Sequence, residues 1–312
     1  MVFFYNEFMR IVIFGCGIIA NRIAKSCLLV KEIELLGFAS KDVAKAKEYA
    51  LKYGCKDYGD YDHFLYSSCD AIYIATHNPS HYELIKKCLL HHKHVICEKP
   101  MLSSLQENEE MFKLAKENKV VLMEAMKAVF LPINIKTKQL LKEDRLGKIE
   151  RIETSFLRGS NFERNHWIYD PKTGGALKDL GSYCVGIMNF LTDEEPVLIE
   201  RKTNKDDEHA DTSAEATIGY GDVIGHLKVS NSSEGYSGLK VYGEKGYLEI
   251  EDFWKTDHGY YVADGIRYEL KEELISDFYY ELKHFAYLVD HGLLESDVMD
   301  KAASDKILKV TA

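Results

Sequence analysis

A lysine held between a glutamate and a proline, Glu98-Lys99-Pro100, ends one of the apolar runs of this sequence. Oxidation of an alcohol needs a side chain that takes the hydroxyl proton while hydride leaves the carbon, and a lysine at a fixed position suits that step. Pro100 restricts the turn after the lysine and allows the preceding peptide to be cis. Lys99 is therefore a candidate catalytic residue. The alternative is a surface lysine that follows a strand.

A glycine-rich turn follows the first apolar run and suits the pyrophosphate of a dinucleotide. It reads Gly15-Cys16-Gly17-Ile18-Ile19-Ala20. Gly15 allows a tight turn, Gly17 keeps side chains away from the phosphates, and Ala20 lets the next helix pack closely on the sheet. The N-terminus of that helix attracts negative charge. Together with Lys99, the turn predicts nicotinamide-dependent redox chemistry.

The end of the second apolar run bears on the choice between NAD and NADP. NAD-binding proteins usually place an acid there for the ribose 2′-hydroxyl, whereas this chain has Ser40 and Lys41, which suit a 2′-phosphate. Asp42 follows, either as a ribose ligand or as the N-cap of the next helix. We favour the cap, and hence NADP over NAD. Lys45 is either a second cation for the phosphate or a solvated lysine.

The segment after the strand pattern at 71–75 is expected to line the cofactor as well, although Ser80 is equally suited to cap the next helix. Trp167 either walls the pocket or is a buried structural residue. The predicted cofactor-binding residues are Gly15, Gly17, Ile18, Ile19, Ser40, Lys41, Lys45, Ala75, Thr76, His77, Asn78, His81, Glu98, Lys99 and Trp167. No metal site is expected, because the histidines at 91–94 lie at a helix end, where cations complement the helix dipole.

A second group of reactive side chains follows the glycine pair Gly174-Gly175. Paired glycines let a backbone approach a ligand or a helix closely. If the following stretch is helical, Asp179 and Tyr183 are four residues apart and share one face. An acid and a phenol in this arrangement indicate a site. The alternative is that Tyr183 lies in the core and Asp179 caps the helix.

The elements that must position these residues alternate in type over the first 130 residues. Strand patterns at 11–14, 34–39, 71–75, 94–97 and 120–123 are separated by helix patterns at 19–30, 43–53, 61–67, 80–91 and 105–117. This order predicts a parallel sheet with helices on both faces, which binds ligands at the carboxyl ends of its strands. We therefore expect an α/β chain whose residues 1–130 form a Rossmann dinucleotide-binding domain.

Beyond Pro132 the pattern changes. A helix pattern at 133–142 precedes alternating runs at 149–157, 212–220, 223–230, 239–242 and 247–250. This predicts an α+β substrate-binding domain, residues 131–312, with an open and largely antiparallel sheet. A helix at 272–291 is expected to close this domain, and one at 297–310 to pack back on the first.

Composition narrows the class of protein. The chain has 312 residues and a formal net charge of −10, which argues against general nucleic-acid binding. No apolar run approaches the roughly 20 residues of a membrane helix. Residues 1–10 do not resemble a signal peptide, and the seven cysteines include no Cys-x-x-Cys pair. A cytoplasmic protein with reduced thiols is the expectation.

These motifs, in this order, resemble the glucose-fructose oxidoreductase / inositol dehydrogenase / MocA family over nearly the whole chain. The resemblance rests on residues 15–20, 76–81, 98–100, 124–125 and 174–183. Tyr183 stands where many members carry histidine, and in this the chain is similar to the branch containing dihydrodiol dehydrogenase and xylose dehydrogenase. Val129 is a departure, since dihydrodiol dehydrogenases tend to carry arginine there; the nearby basic residue is Lys127.

The resemblance implies a catalytic pair, Lys99 and Tyr183, with Asp179 orienting the substrate. Either Tyr183 or Lys99 exchanges the proton. It also implies an NAD(P)-dependent dehydrogenase, NADP being favoured, that acts on a hydroxyl carbon of a sugar, cyclic polyol or trans-dihydrodiol. A homodimer formed through the open sheet face, or a higher homo-oligomer, is expected, with no nucleic-acid or membrane partner. The alternatives are a non-catalytic NADP-binding sensor and an NAD-dependent glycoside-cleaving member.

Overall fold

The computed structural model describes residues 8–160, 166–204 and 208–312. The expectation about a signal peptide therefore falls mostly on residues 1–7, outside the described part. Packing divides the described chain into two compact units. The first runs up to Ala125 and includes Phe278–Lys301, and the second comprises Met126–Asp277 and Ala302–Ala312. None of the helices in these residues is long and apolar enough to span a membrane.

The first unit contains a sheet of six parallel strands among the described residues, in the order β3-β2-β1-β4-β5-β6. The strands are β1 (Met9–Phe14), β2 (Ile33–Ala39), β3 (Asp57–Gly59), β4 (Ala71–Ile74), β5 (His94–Glu98) and β6 (Leu122–Ala125). Five of them match the strand patterns, and β3 is too short to give one. The strand order reverses between β1 and β4, where such sheets bind their ligands.

Helices connect these strands as the alternating pattern predicts. They are α1 (Ile18–Cys27), α2 (Val43–Tyr53), α3 (Tyr61–Leu65), α4 (His81–Leu90) and α5 (Leu105–Glu117). The residues of β4 are all buried, because helices cover both faces of a parallel sheet. The Rossmann fold expected of this part of the chain is confirmed.

The second unit contains an eight-stranded sheet in its described residues, in the order β14-β13-β12-β11-β7-β10-β9-β8. Its strands are β7 (Ile149–Leu157), β8 (Val197–Thr203), β9 (Ser213–Tyr220), β10 (Val223–Ser230), β11 (Gly238–Gly243), β12 (Gly246–Glu251), β13 (His258–Ala263) and β14 (Ile266–Lys271). β7 and β10 pair in parallel, and the other neighbours are antiparallel. The largely antiparallel sheet is confirmed.

The alternation of β9 and β10 gives this sheet two different faces. Ala214, Ala216 and Ile218 are buried, whereas the residues between them are at least partly exposed. Leu227 and Val229 are buried in the same way on β10. The outer edge strand β8 has no buried residue, and its apolar residues Val197, Leu198 and Ile199 are consecutive and exposed, so it shows no alternation in the sequence. The open face predicted from the alternation is present.

Helices complete both units, with one rearrangement relative to the expectation. The second unit contains α6 (Pro132–Lys142), α7 (Ser182–Thr192) and most of α9 (Lys301–Thr311). Helix α8 (Tyr279–Asp290) packs against α1 and β1 in the first unit. The sequence placed this helix in the second domain. An amphipathic pattern shows which helix face is apolar, not which partner covers it.

Candidate active site

The turn after β1 requires glycine at its first position. Gly15 has a φ of +111°, and a Cβ there would lie 2.5 Å from the Ala75 carbonyl oxygen. The Ala75 amide in turn donates to the Phe14 carbonyl oxygen at 2.8 Å. The glycine turn and the segment after β4 are thus in close backbone contact at the point where the strand order reverses.

The N-terminus of α1 is suited to an anion. Gly17 is the N-cap, no side chain of the described residues caps the helix, and its first turn carries no acid. No described atom lies within 4 Å of the point that a Cβ on Gly17 would occupy. Ile18, at the first helical position, is 82% exposed. Open space, unclaimed backbone amides and an apolar surface fit a dinucleotide pyrophosphate.

At the end of β2, the structure shows how Asp42 is used. Its Oδ1 accepts a hydrogen bond from the Lys45 amide at 3.2 Å, and its own amide donates to Ser40 Oγ at 3.2 Å. Asp42 is therefore the N-cap of α2, as favoured from the sequence. Lys41 and Lys45 are both exposed. The charge of Lys45 acts on the thiol of Cys16, although burial still raises that pKa to about 11.

The segment after β4 is held by its own side chains. Thr76 Oγ1 and Ser80 Oγ are hydrogen-bonded at 2.7 Å, and Ser80 Oγ donates to the His77 carbonyl oxygen at 2.8 Å. His77 is exposed and Asn78 is partly buried. Ser80 Oγ thus bonds within its own turn, and no side chain caps α4 among the described residues.

His81 is fully buried behind this segment. Its Nε2 lies 3.1 Å from the Thr76 carbonyl oxygen, and its Nδ1 lies 3.1 Å from that of Pro100 and 3.2 Å from that of Met101. Burial lowers the pKa of the ring. His81 therefore joins the segment after β4 to the turn that carries Lys99.

The Lys99–Pro100 peptide is cis. On the far side of the turn, Glu124 of β6 is buried, and its Oε1 accepts a hydrogen bond from the Met101 amide at 3.0 Å. On the near side, Glu98 ends β5, and its Oε1 accepts a hydrogen bond from the Tyr73 hydroxyl at 2.9 Å. Lys99 itself is partly exposed. The lysine thus sits on a backbone fixed by its neighbours.

In the second unit, the glycine pair lets the side chain of Asp211 lie close to the backbone. A Cβ on Gly175, whose φ is +116°, would lie 2.5 Å from Asp211 Oδ1. Asp211 Oδ2 accepts a hydrogen bond from the Leu177 amide at 2.9 Å, and the Asp211 carbonyl oxygen accepts one from the Ala176 amide at 2.8 Å. Asp211 therefore holds the start of the helical segment. Sequence reasoning missed it, because it lies 34 residues from Leu177.

That segment begins with a π-helical turn, Leu177–Gly181, and continues as α7. Asp179 lies in the π turn and Tyr183 in the first turn of α7. The helical conformation expected of this stretch is present, whereas the π geometry was not anticipated. Single π turns inserted into helices occur frequently at functional sites.

Asp179 has a cationic neighbour. Its side chain is 13% exposed, and its Oδ2 accepts a hydrogen bond from Arg158 Nη2 at 3.1 Å. The same Arg158 nitrogen donates to Asn231 Oδ1 at 3.0 Å. The cluster of Asp179, Arg158 and Asn231 offers both donors and acceptors, and its two charges offset each other.

One aromatic ring, that of Phe156, lies beside Tyr183, with a distance of 5.9 Å between the ring centroids. The Phe156 ring also stacks on Trp254, with 3.6 Å between the centroids. Trp167, in the short helical turn Trp167–Tyr169, is partly buried beside His166. Residues 161–165, just before this turn, lie outside the described part.

Lys127, the basic residue near the position of the family arginine, is buried. Its Nζ forms an ion pair with Asp277. A lysine in a buried ion pair has a structural partner, so the departure at Val129 is not compensated by a solvent-facing cation at Lys127.

The structure thus brings Gly15, Ala75, Thr76, His81 and the Lys99 turn into one connected group within the first unit. Ser40, Lys41 and Lys45 lie at the end of the neighbouring strand β2. Asp179 and Tyr183 lie one turn apart in the second unit. No group of three or more metal-ligating side chains occurs in residues 8–160, 166–204 and 208–312.

Several known proteins are similar to this chain in sequence, in fold or in both. Bacillus subtilis scyllo-inositol 2-dehydrogenase (NADP(+)) IolU is 30% identical, over 93% of this chain and 90% of that protein. Mouse trans-1,2-dihydrobenzene-1,2-diol dehydrogenase is 29% identical, over 96% and 93%. The crystal structure of the aldose-aldose oxidoreductase of Caulobacter crescentus superposes with a TM-score of 0.90 at 21% identity, covering 97% of this chain and 95% of that one.

Two family profiles match consecutive parts of the chain. Residues 9–126 match the oxidoreductase family with an NAD-binding Rossmann fold, and residues 135–249 match the GFO/IDH/MocA C-terminal domain. The resemblance identified from the motifs is confirmed. The chain belongs to the GFO/IDH/MocA oxidoreductase family and is an NAD(P)-dependent oxidoreductase.

Proposed function

We propose that this protein is an NADP-preferring dehydrogenase acting on a CH–OH group of a neutral polyhydroxy compound: a sugar, a cyclic polyol or a trans-dihydrodiol. The observation that carries the cofactor preference is the hydrogen bond from the Lys45 amide to Asp42. It commits the acid that directly follows Ser40 and Lys41 to helix capping, and leaves the Lys41 ammonium and the hydroxyl proton of Ser40 for a 2′-phosphate. The NADP-linked scyllo-inositol dehydrogenase among the relatives supports the same cofactor.

Each part of the cofactor has a matching group of residues in this proposal. The backbone around Gly15 and Gly17 and the N-terminus of α1 hold the pyrophosphate. Ser40, Lys41 and Lys45 hold the adenosine 2′-phosphate, and the residues from Ala75 to Asn78 line the path toward the nicotinamide. When bound, the nicotinamide supplies the hydride chemistry. Trp167 and Ile18 contribute apolar surface.

Lys99 and Tyr183 carry the proton transfer in this proposal. Tyr183 exchanges the hydroxyl proton, and a lysine ammonium provides the charge that favours a phenolate. The opposite assignment, with neutral Lys99 as the base, is distinguished by substitution. Asp179 orients the substrate through its carboxylate.

The neutral character of the substrate follows from the Asp179 cluster. Because Arg158 already pairs with Asp179, an additional carboxylate or phosphate gains little from the arginine. Hydroxyl groups donate to the carboxylate and accept from guanidinium or amide nitrogens, so vicinal hydroxyls match this cluster. We also propose a cytoplasmic homodimer that associates through the open face of β7, β9 and β10.

A screen of inositols, aldoses and trans-dihydrodiols with NADP and with NAD tests the proposal, read as absorbance of the reduced cofactor. We expect turnover with at least one polyol and a higher kcat/KM with NADP. Cofactor binding without turnover of any substrate would favour the sensor. Glycoside cleavage with tightly bound NAD and no net reduction would favour the glycoside-cleaving alternative.

A further inference from the structure

A buried hydrogen-bonded link connects α8 to the turn that carries Lys99. The Tyr73 hydroxyl lies 2.9 Å from Glu98 Oε1 and 3.1 Å from Glu281 Oε1. Tyr73 and Glu281 are fully buried, and Glu98 is 9% exposed. All three belong to the first unit, although Glu281 is 208 residues from Tyr73 in the chain.

Tyr73 acts as a donor in this link. Burial, together with the charges of Glu281 and Glu98, raises its pKa well above the ordinary value for tyrosine. The residue is therefore a neutral phenol with a single proton to donate. The same hydroxyl lies within hydrogen-bond distance of both carboxylates, so the position of Glu281 on α8 sets where the Tyr73 oxygen lies relative to Glu98.

Glu98 precedes Lys99 directly, so its orientation affects the lysine. A buried carboxylate that loses one of its hydrogen bonds is held less firmly in its orientation. A change in the orientation of Glu98 shifts the backbone next to Lys99. The other contacts described above, from Glu124 and His81, fix residues after the lysine and do not replace this one.

We propose that Tyr73 and Glu281 are positioning residues for Lys99: Tyr73 fixes the Glu98 carboxylate, and Glu281 of α8 fixes Tyr73. This inference rests on the proposed role of Lys99. It assigns a function to α8, which the sequence placed in the other domain. It also explains why a helix near the C-terminal end of the chain carries a fully buried glutamate.

Tyr73→Phe removes the hydroxyl and keeps the ring, so it tests the link most simply. We expect kcat to fall about tenfold or more, as for the loss of a hydrogen bond to a charged group, with little change in KM. The comparison of kcat with KM separates a positioning role at Lys99 from a general loss of substrate binding.

Tyr82→Phe is the matched control. The Tyr82 hydroxyl also donates to a glutamate, Glu110 Oε2, at 2.9 Å, but this pair lies exposed on α4 and α5. A general effect of removing a tyrosine–glutamate hydrogen bond would alter both variants. The proposal expects the kcat of Tyr82→Phe to match that of the unmodified protein.

Substitutions of Glu281 distinguish its proposed positioning role from an effect on the stability of the fold. Glu281→Gln keeps a polar partner for the Tyr73 hydroxyl and should restore most of the turnover that Glu281→Leu loses. The double variant Tyr73→Phe with Glu281→Leu replaces both partners by apolar groups, which is close to neutral for folding. It should fold, bind NADP normally and show the same loss of kcat as Tyr73→Phe.

Unchanged kcat in the folded double variant would overturn the inference. Lys99→Ala distinguishes this result from a failure of the proposed function. If Lys99→Ala is inactive while the double variant is fully active, only the positioning role is wrong. If Lys99→Ala keeps normal turnover, the role of Lys99 is wrong, and the positioning role fails with it.

Discussion

The Asp42 carboxylate accepts the amide hydrogen of Lys45 at 3.2 Å, and so the acid nearest the end of β2 caps a helix. An N-cap of this kind stabilises a helix by about 1 kcal/mol. The carboxylate has a structural use, and the hydroxyl and cation before it remain for a ligand. The relationship gives the first prediction.

Lys41→Ala should weaken NADP binding by about tenfold, the loss of one charge-assisted hydrogen bond, and leave NAD binding nearly unchanged. Fluorescence or calorimetric titration of both cofactors measures this. The control is Lys47→Ala, which removes an exposed lysine within α2. Tighter binding of NAD than of NADP by the unmodified protein would assign Asp42 to the ribose and reject the preference.

Lys99→Ala and Tyr183→Phe should each lower turnover by about a hundredfold or more, as is typical when a positioned acid–base group is lost. Tyr183→Phe should bind NADP normally, because only the hydroxyl is removed. Lys113→Ala on the exposed face of α5 is the control. Near-normal turnover in Tyr183→Phe would transfer the proton step to Lys99 or to another group.

A fall in pH should destabilise the first unit through protonation of His94. The Val121 amide donates to His94 Nδ1 at 3.0 Å, which requires an unprotonated nitrogen, and burial lowers the pKa of the ring. The unfolded chain takes up the proton below its ordinary value of about 6.5, whereas the folded chain resists it. The free energy of unfolding is therefore highest above that value and falls as the pH drops toward the lowered pKa.

Urea denaturation across this pH range measures the effect. His94→Asn keeps an acceptor for the Val121 amide and does not titrate, so it should show a weaker pH dependence. The pKa values of His81 and His284 are lowered by burial as well, so part of the dependence should persist. The same pH dependence in His94→Asn as in the unmodified protein would refute the role of His94.

The open face of the second sheet should pair with a second copy of the chain. Thr217 and His226 lie at the centre of this face and are hydrogen-bonded at 3.2 Å, surrounded by small, charged and aromatic side chains typical of a wet interface. Light scattering at micromolar concentration should give twice the 35.7 kDa chain mass, and Thr217→Arg should reduce it. A mass near one chain for the unmodified protein would disprove pairing.

The sequence predicted the features that are local in the chain. Gly15 and Gly17 follow a buried strand, and Asp42 caps a helix within one turn, so short-range chemistry is enough to place them. The exposed edge strand β8 carried no alternating pattern to detect. The contact of Tyr73 with Glu281 joins residues far apart in sequence, and only the packing of α8 brings them together.

The π turn at Asp179 was also beyond sequence reasoning. An α-helix and a π turn share the same apolar positions over so short a stretch, and the difference is one inserted residue in the hydrogen-bond ladder. Gly175 was recognised as a point of close approach, but Asp211, the group that approaches, lies on a distant segment.

Transfer of deuterium from a polyol to the nicotinamide tests the central claim most directly. The protein is incubated with NADP and polyols deuterated at their hydroxyl-bearing carbons, and the reduced cofactor is analysed by mass spectrometry. The account predicts reduced cofactor carrying one transferred deuterium, formed about a hundredfold more slowly by Tyr183→Phe. Bound NADP with no deuterium transfer from any polyol would contradict it.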